Sequence, residues 1–286
     1  MTDSLEFRRV DLSVGGLDRT VELLRKVFPV ATHIDRAYLD RLYNGNPNGP
    51  TDGVAAWQGG QLVGHYLMIP ITAVVHGEEM KGIWPFQLAV DPGVQGKGIF
   101  RGLFEASDDV MKEGGYQFIS GCTNANSAPI FQKAFGVHLV KPLDVKIGTG
   151  ALPPSTPLER ADYSRVWTPE EVSWRCDVPA EPYFAVEQGE RTEVWAKSDK
   201  PLTNVQVGDF PKGFVPERIP RKRSGGAVRV WIGQDPTRDW KGSLYRDLPE
   251  KLRASPMMLT FGHWYDKKLT LDPDRVQWSV FDFDAF

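Results

Sequence analysis

Residues 95–101 read Gln-Gly-Lys-Gly-Ile-Phe-Arg and offer the chemistry of anion binding. Gly96 and Gly98 have no Cβ, so the peptide N–H groups around them can approach a bound group closely. Ile99, Leu103, Ala106 and Val110 then recur at helical spacing, and Gly114-Gly115 stops the helix. The first N–H groups of a helix lack intrahelical partners, and the helix dipole makes their surroundings positive. Lys97 and Arg101 add formal charge. The stretch predicts a cradle for a phosphate or diphosphate. A plain glycine turn joining a core strand to a core helix fits the same residues. Two familiar phosphate loops do not fit: a P-loop needs a hydroxyl residue after Lys97, where Gly98 stands, and a dinucleotide fingerprint needs a glycine in place of Arg101.

Other side chains have the right types for catalysis or binding. His65 lies within a predicted strand, and its imidazole titrates near neutrality, which suits a general base. A hydrogen-bonded core histidine fits there equally well. Cys122 ends another predicted strand and acts as a nucleophile only with a depressed pKa. Residues 43–50, Tyr-Asn-Gly-Asn-Pro-Asn-Gly-Pro, are turn formers, and Tyr43, Asn44 and Asn46 either contact an acceptor or decorate a surface loop. His263 and Tyr265 belong to an aromatic–polar cluster able to stack on a sugar or base, or simply end a strand. The run from Arg218 to Arg223 grips a phosphate or is a solvated loop.

The elements that must position these groups can be read from periodicity. Strands are predicted over 5–10, 54–58, 62–75 (bent near Pro70) and 116–122, with helices on the faces marked by Leu17, Val21 and Leu24 and by Tyr38 and Leu42. Beyond 148–162, rich in Gly, Pro and Ser, strands are predicted over 194–197, 227–232, 257–261 and 277–281, and a helix over 244–254. Residues 174–186 repeat the layout of 42–56: a helix end, a proline-rich turn and a short apolar strand.

Asp91-Pro92-Gly93-Val94-Gln95-Gly96-Lys97-Gly98 resembles motif A of the GNAT family of acyl-CoA N-acyltransferases. That motif reads Gln/Arg, two residues, Gly, one residue, Gly/Ala; the chain departs from it at Phe100. The stretch from Asn124 to Gly136 resembles motif B, in which an Asn precedes a helix ending near a Lys and a Gly. There Phe131 stands where many relatives carry a tyrosine that returns a proton to the coenzyme A thiolate. The resemblance covers roughly 5–147 and implies an α+β GNAT fold with a mixed, mostly antiparallel central sheet. We expect residues 1–147 to form this domain, 148–162 a linker, and 163–286 a degenerate second GNAT-like α+β unit. It implies acetyl-CoA or another short-chain acyl-CoA as donor, bound by Gln95, Gly96, Lys97, Gly98, Ile99, Phe100, Arg101, Asn124, Asn126 and Phe131. Backbone donors near Ala89 and Val90 would face the thioester oxygen.

The expected reaction is direct attack of a primary amine on the thioester. Long family members with an Asn-Pro-x-Gly loop look like bacterial N-acyltransferases of amino-sugar pathways, so a nucleotide-linked amino sugar is the expected acceptor. An amino acid, antibiotic or peptide amine would use the same cradle. Phe100 and Phe131 keep a non-catalytic acyl-CoA sensor or structural module as the alternative.

Composition limits the rest. The chain has 286 residues, 25% of them charged, with a net charge of −3 and a pI near 6.0, which argues against generic nucleic-acid binding. Two cysteines give neither a disulfide framework nor metal-ligand spacing and point to a reducing compartment. No apolar run reaches the roughly 20 residues that span a bilayer. The expectation is a cytoplasmic monomer or homodimer acting on a small-molecule amine, with no metal, nucleic acid or membrane partner.

Overall fold

The computed structural model describes residues 4–94, 96, 98–125, 127–177, 183–198, 200–253 and 257–282. Gln95, Lys97 and Asn126 lie outside the described residues. In chain order the first half comprises β1 (Leu5–Arg9), α1 (Val14–Val27), α2 (Arg36–Asn44), β2 (Asp52–Gln58), β3 (Gln61–Val75), β4 (Glu78–Val90), α3 (Ile99–Glu113), β5 (Phe118–Thr123), α4 (Ala128–Phe135), β6 (His138–Pro142) and β7 (Asp144–Gly148). The second comprises β8 (Tyr163–Arg165), α5 (Pro169–Cys176), β9 (Tyr183–Gln188), β10 (Arg191–Lys197), β11 (Thr203–Pro211), β12 (Val228–Gln234), β13 (Tyr245–Asp247), β14 (Met258–His263) and β15 (Val276–Ser279).

Local chemistry sets the element ends. Ser13 and Asp35 accept backbone N–H groups at the starts of α1 and α2, and Thr168 and Glu171 form a reciprocal capping box on α5. Gly59 and Gly60 take positive φ in the β2–β3 turn. β3 runs unbroken through Pro70. That residue sits where the β2 pairing has ended at Met68 and the β8 pairing has not begun, so its missing N–H breaks no ladder on that edge. Alternation then sorts the strand: Leu67, Ile69 and Ile71 face α1 and α2, while Tyr66 and Met68 face α3 and α4. Helix α3 lies close on the sheet because two contacts lack a Cβ. A Cβ on Gly102 would fall 2.0 Å from the Phe7 ring, and one on Gly64 would fall 3.1 Å from Ile99.

The strands form one continuous sheet with two similar ends. One end runs β1-β2-β3-β4-β5-β14-β6 and the other β9-β10-β11-β12-β7-β13, joined through β3, β8, β15 and β12. The two halves exchange strands. β14, from late in the chain, lies between β5 and β6, antiparallel to both, and β7 lies likewise between β12 and β13. Among the described residues the helix expected over 244–254 is absent: β13 pairs Tyr245 with Gly148, and a 3-10 turn spans Glu250–Leu252. Pro249, without an N–H, cannot sit inside a helix there.

Candidate functional site

The parallel strands β4 and β5 pair only at Gly82–Phe118 and Ile83–Ile119. Pro85 follows in β4, and with no N–H to donate it cannot continue the ladder. The two strands therefore diverge, leaving a wedge between 84–90 and 120–123. On its other edge β4 carries a bulge: His65 pairs with Ala89 and Leu67 with Phe86, so Gln87 and Leu88 together oppose Tyr66. Gln87 takes φ 41°, the left-handed region that a non-glycine residue rarely occupies. Two interactions brace it. The Tyr43 hydroxyl donates to Gln87 Oε1, and the His65 ring hydrogen-bonds to the Gln87 backbone. The bulge turns the last β4 amides, at Ala89 and Val90, out of register with the strand before them.

The wedge opens onto the start of α3. Gly96 and Gly98 take φ 82° and 75°, and a Cβ on either would meet nothing within 4 Å. Positive φ, not crowding, is what requires glycine here. Gly98 caps α3 without a side-chain acceptor, and no acidic residue lies in the first turn. The first-turn amides are thus directed outward with no carboxylate competing for them. The nearest acid, Asp91, is tied down by the Gly93 amide and the Lys26 ammonium, which hold its pKa below the ordinary range. The Phe100 ring folds against Phe104 at 4.4 Å between centroids, away from the helix start. Arg101 is exposed and paired with Glu105. The arrangement fits an extended anion whose charged end lies on α3 and whose tail enters the wedge.

The structure corrects several expectations. His65 is only 1% exposed; burial holds its pKa down to about 4, and its Nε2 has no partner, so it braces the bulge and is no general base. Cys122 borders the wedge, but burial pushes its thiol up to about 12, too high for a nucleophile. Phe131, expected at the coenzyme, is buried and packs into the core with Tyr66, Phe104 and Phe135. Asn124 holds the turn before α4 by exchanging hydrogen bonds with Ser127.

In the 43–50 loop Asn46 is buried with its amide on the Pro70 carbonyl at 2.9 Å, and Asn48 bridges Thr72 and Glu171. Asn44 stays exposed and binds Asp40. Of the three acceptor candidates only Tyr43 reaches the bulge. Register moves His263 and Tyr265 away altogether. His263 pairs with Phe118 at the closed end of the wedge, whereas Met258 pairs with Thr123 at the open end, about 16 Å along the strand. The basic residues of the run are exposed, but Arg221 is bonded to the Val215, Pro216 and Ile219 carbonyls and to Glu187, and Arg218 to Ser173 and Asp177.

Sequence reasoning missed Gln87, which carries no turn-residue signal. It also missed the meaning of Pro85, whose place inside an apolar strand marked where pairing must stop.

Residues 11–136 match the model of the acetyltransferase (GNAT) domain. A search of the curated proteins finds no significant match. Among solved structures the chain is similar to a conserved Enterococcus faecalis protein described as a probable N-acyltransferase, with a TM-score of 0.63 at 8% identity over 91% of this chain and 73% of that one. A GCN5-related N-acetyltransferase from Anabaena variabilis gives 0.61 at 8% identity, covering 90% and 72%. The N-myristoyltransferase of Saccharomyces cerevisiae, solved with myristoyl-CoA, gives 0.58 at 11% identity, covering 100% and 86%. At these identities the similarity is one of fold: an α+β GNAT fold with a mixed sheet, whose length accommodates a second GNAT-like unit.

Proposed function

We infer that the GNAT acetyltransferase domain carried by residues 11–136, which makes this chain an acyl-CoA N-acyltransferase, works in the wedge between β4 and β5. The observation that carries this reading is the uncapped start of α3, with its two positive-φ glycines, opening into that wedge. The amides of Gly96 and the first turn of α3 hold the diphosphate of the donor. Acyl-CoA supplies an activated thioester carbonyl. The Asp91 amide donates to Val63 in β3 and the Ala89 amide faces the same edge by alternation, so of the Ala89–Val90 pair we assign the Val90 amide as donor to the carbonyl oxygen, where a preorganised donor favours reaction. Tyr43, itself buried, fixes Gln87 from behind and supports the bulge. No side-chain base is assigned; the amine enters neutral and its proton leaves to water.

The acceptor is a small primary amine. Its assignment as a nucleotide-linked amino sugar rests on the motif resemblance alone, because the basic run and the His263–Tyr265 cluster lie away from the wedge. We further propose a cytoplasmic monomer or homodimer, in which the sequence halves 1–147 and 163–286 are not separate units because they exchange β7 and β14. The test is thiol release by the full chain with acetyl-CoA and longer acyl-CoA donors against nucleotide-linked amino sugars, amino acids, aminoglycosides and peptides. Release with one amine class is expected. Tight donor binding with no release for any amine would replace the enzyme by an acyl-CoA sensor.

A further inference from the structure

The second half holds a cavity of about 350 Å³ that the acyl-transfer reading does not use. Its walls come from β11, β12, β15 and β8, with residues 155–157 across one side. It is remote from the wedge: β8 joins β3 at Ala73–Val75, whereas the bulge faces residues 65–67, about 20 Å back along the strand. The volume lies within the range of small-molecule sites.

Apart from Arg238, whose Nε meets Asp235 as an ion pair, four polar side chains lining the cavity are more than nine-tenths buried and keep an atom without a hydrogen-bond partner: Gln206 Nε2, Gln234 Oε1, Arg165 Nε and Asp282 Oδ1. Their other atoms are fixed. Gln206 accepts from Arg238 at 3.4 Å, Gln234 donates to the Pro273 carbonyl at 2.7 Å, and Arg165 pairs with Glu171 at 3.1 Å. Buried polar atoms are rarely left unmatched, so oriented donors and an acceptor around one cavity point to a ligand that supplies both.

Charge narrows the class. Each guanidinium lining the cavity already faces a carboxylate: Arg191 meets Asp209 at 2.8 Å, Arg238 meets Asp209 and Asp235 at 3.2 Å, and Arg165 meets Glu171. No positive charge is left over for a phosphate or carboxylate, and burial raises the pKa of Asp282, the remaining lining carboxyl, so that its unpartnered Oδ1 serves as a hydrogen-bonding group rather than as a counter-ion. Shape narrows it further. Trp167 and Phe210 meet edge to face, 5.7 Å between centroids at 78°, and the Arg165 guanidinium lies 4.2 Å over the Trp167 ring, so the two rings form no parallel pair that would sandwich a flat base; Phe214, Trp231 and Trp278 complete the aromatic lining. A sugar ring matches: its hydroxyls both donate and accept, and its C–H face lies on an aromatic ring.

We propose that this cavity is a second ligand site, separate from the acyl-transfer wedge, that binds a neutral monosaccharide ring. The test uses the full-length chain, with saturation-transfer NMR and calorimetry against glucose, galactose, mannose and N-acetylglucosamine at millimolar concentration. Adenosine, uridine and inorganic phosphate serve as controls. At least one sugar is expected to bind, and Gln206→Met and Gln234→Met, which keep shape and remove the amide, should each weaken it about three- to tenfold. Coenzyme A affinity should not change in either variant, which separates this site from the donor site. No sugar binding, preference for a nucleoside or for phosphate, or unaltered affinity in both variants would overturn the proposal. If the variants fail to fold, a crystal of the wild-type chain soaked in the bound sugar decides, with the ring either against Gln206 and Gln234 or elsewhere.

Discussion

The wedge in the first half and the cavity in the second arise from the same local event and lead to different chemistry. In each half a parallel pair runs together briefly and then parts: β4 and β5 after two paired residues, β11 and β12 after Gln206–Trp231. In each, the strand before the gap is bulged against its other neighbour, at Gln87–Leu88 in β4 and at Val207 in β11. The two strands then lead to unlike segments. β4 continues through the positive-φ glycines 96 and 98 into α3, whose start has no side-chain cap. β11 continues into residues 212–227, which contain no helix; Arg221 there closes on the carbonyls of its own loop. The divergent strands alone make a gap. In the function we propose, a helix start is what makes it a donor site.

That comparison can be broken most severely by cutting the chain. Ended after residue 147, it loses β14, and β5 and β6 lose the strand that pairs both. We expect an aggregated product with no cooperative melting transition, since two unpaired edges are left beside an opened core. A soluble, cooperatively melting fragment would show that the first half folds without exchange.

Glycine substitutions test the two loops against each other. Gly98 and Gly213 both take positive φ in open space, 75° and 90°. Gly98→Trp should lower coenzyme A affinity by about a hundredfold or more by calorimetry, because the ring covers the α3 amides. Gly213→Trp carries the same backbone strain and should leave that affinity unchanged. Equal losses in both would mean that strain, not the cradle, is being measured.

A smaller effect is expected at Tyr43→Phe, which removes the hydroxyl that holds Gln87. About a tenfold fall in kcat/KM with unchanged coenzyme A affinity would place its role at the bulge. A fall in donor affinity instead would place it at binding.

The smallest difference is one of pH and belongs to the second half. Burial beside β11 raises Glu193 from 4.5 to about 7, with Trp195 donating to it. A raised carboxylate pKa means that the native state holds the proton longer than the unfolded chain. Its contribution is fully present below pH 4.5, declines as pH rises and is gone above about 7. Glu193→Gln should therefore match wild type in thermal melting near pH 4.5 and melt higher at pH 8. Identical melting at both values would remove the shift.

Much of this molecule was legible in the sequence because it depends on short-range rules. Alternation in 62–75 gave a strand, the capped apolar faces gave α1 and α2, and glycines at 96 and 98 before a helical pattern gave the positive-φ turn into α3, since positive φ is a property of single residues. The repeated layout of 42–56 and 174–186 appears as α2–β2 and α5–β9.

What tertiary structure alone decided was which surfaces meet. A histidine in a strand looks the same to sequence whether its ring faces a cleft or a core, and only packing against the α1–α2 side left His65 dry. Likewise nothing local distinguishes His263 beside the open end of the wedge from His263 beside the closed end, because register depends on a partner more than a hundred residues away in the chain. The exchange of β7 and β14 and the cavity near β8 belong to the same class. They are set by burial summed over both halves of the chain, and that sum is not a property of any one stretch of residues.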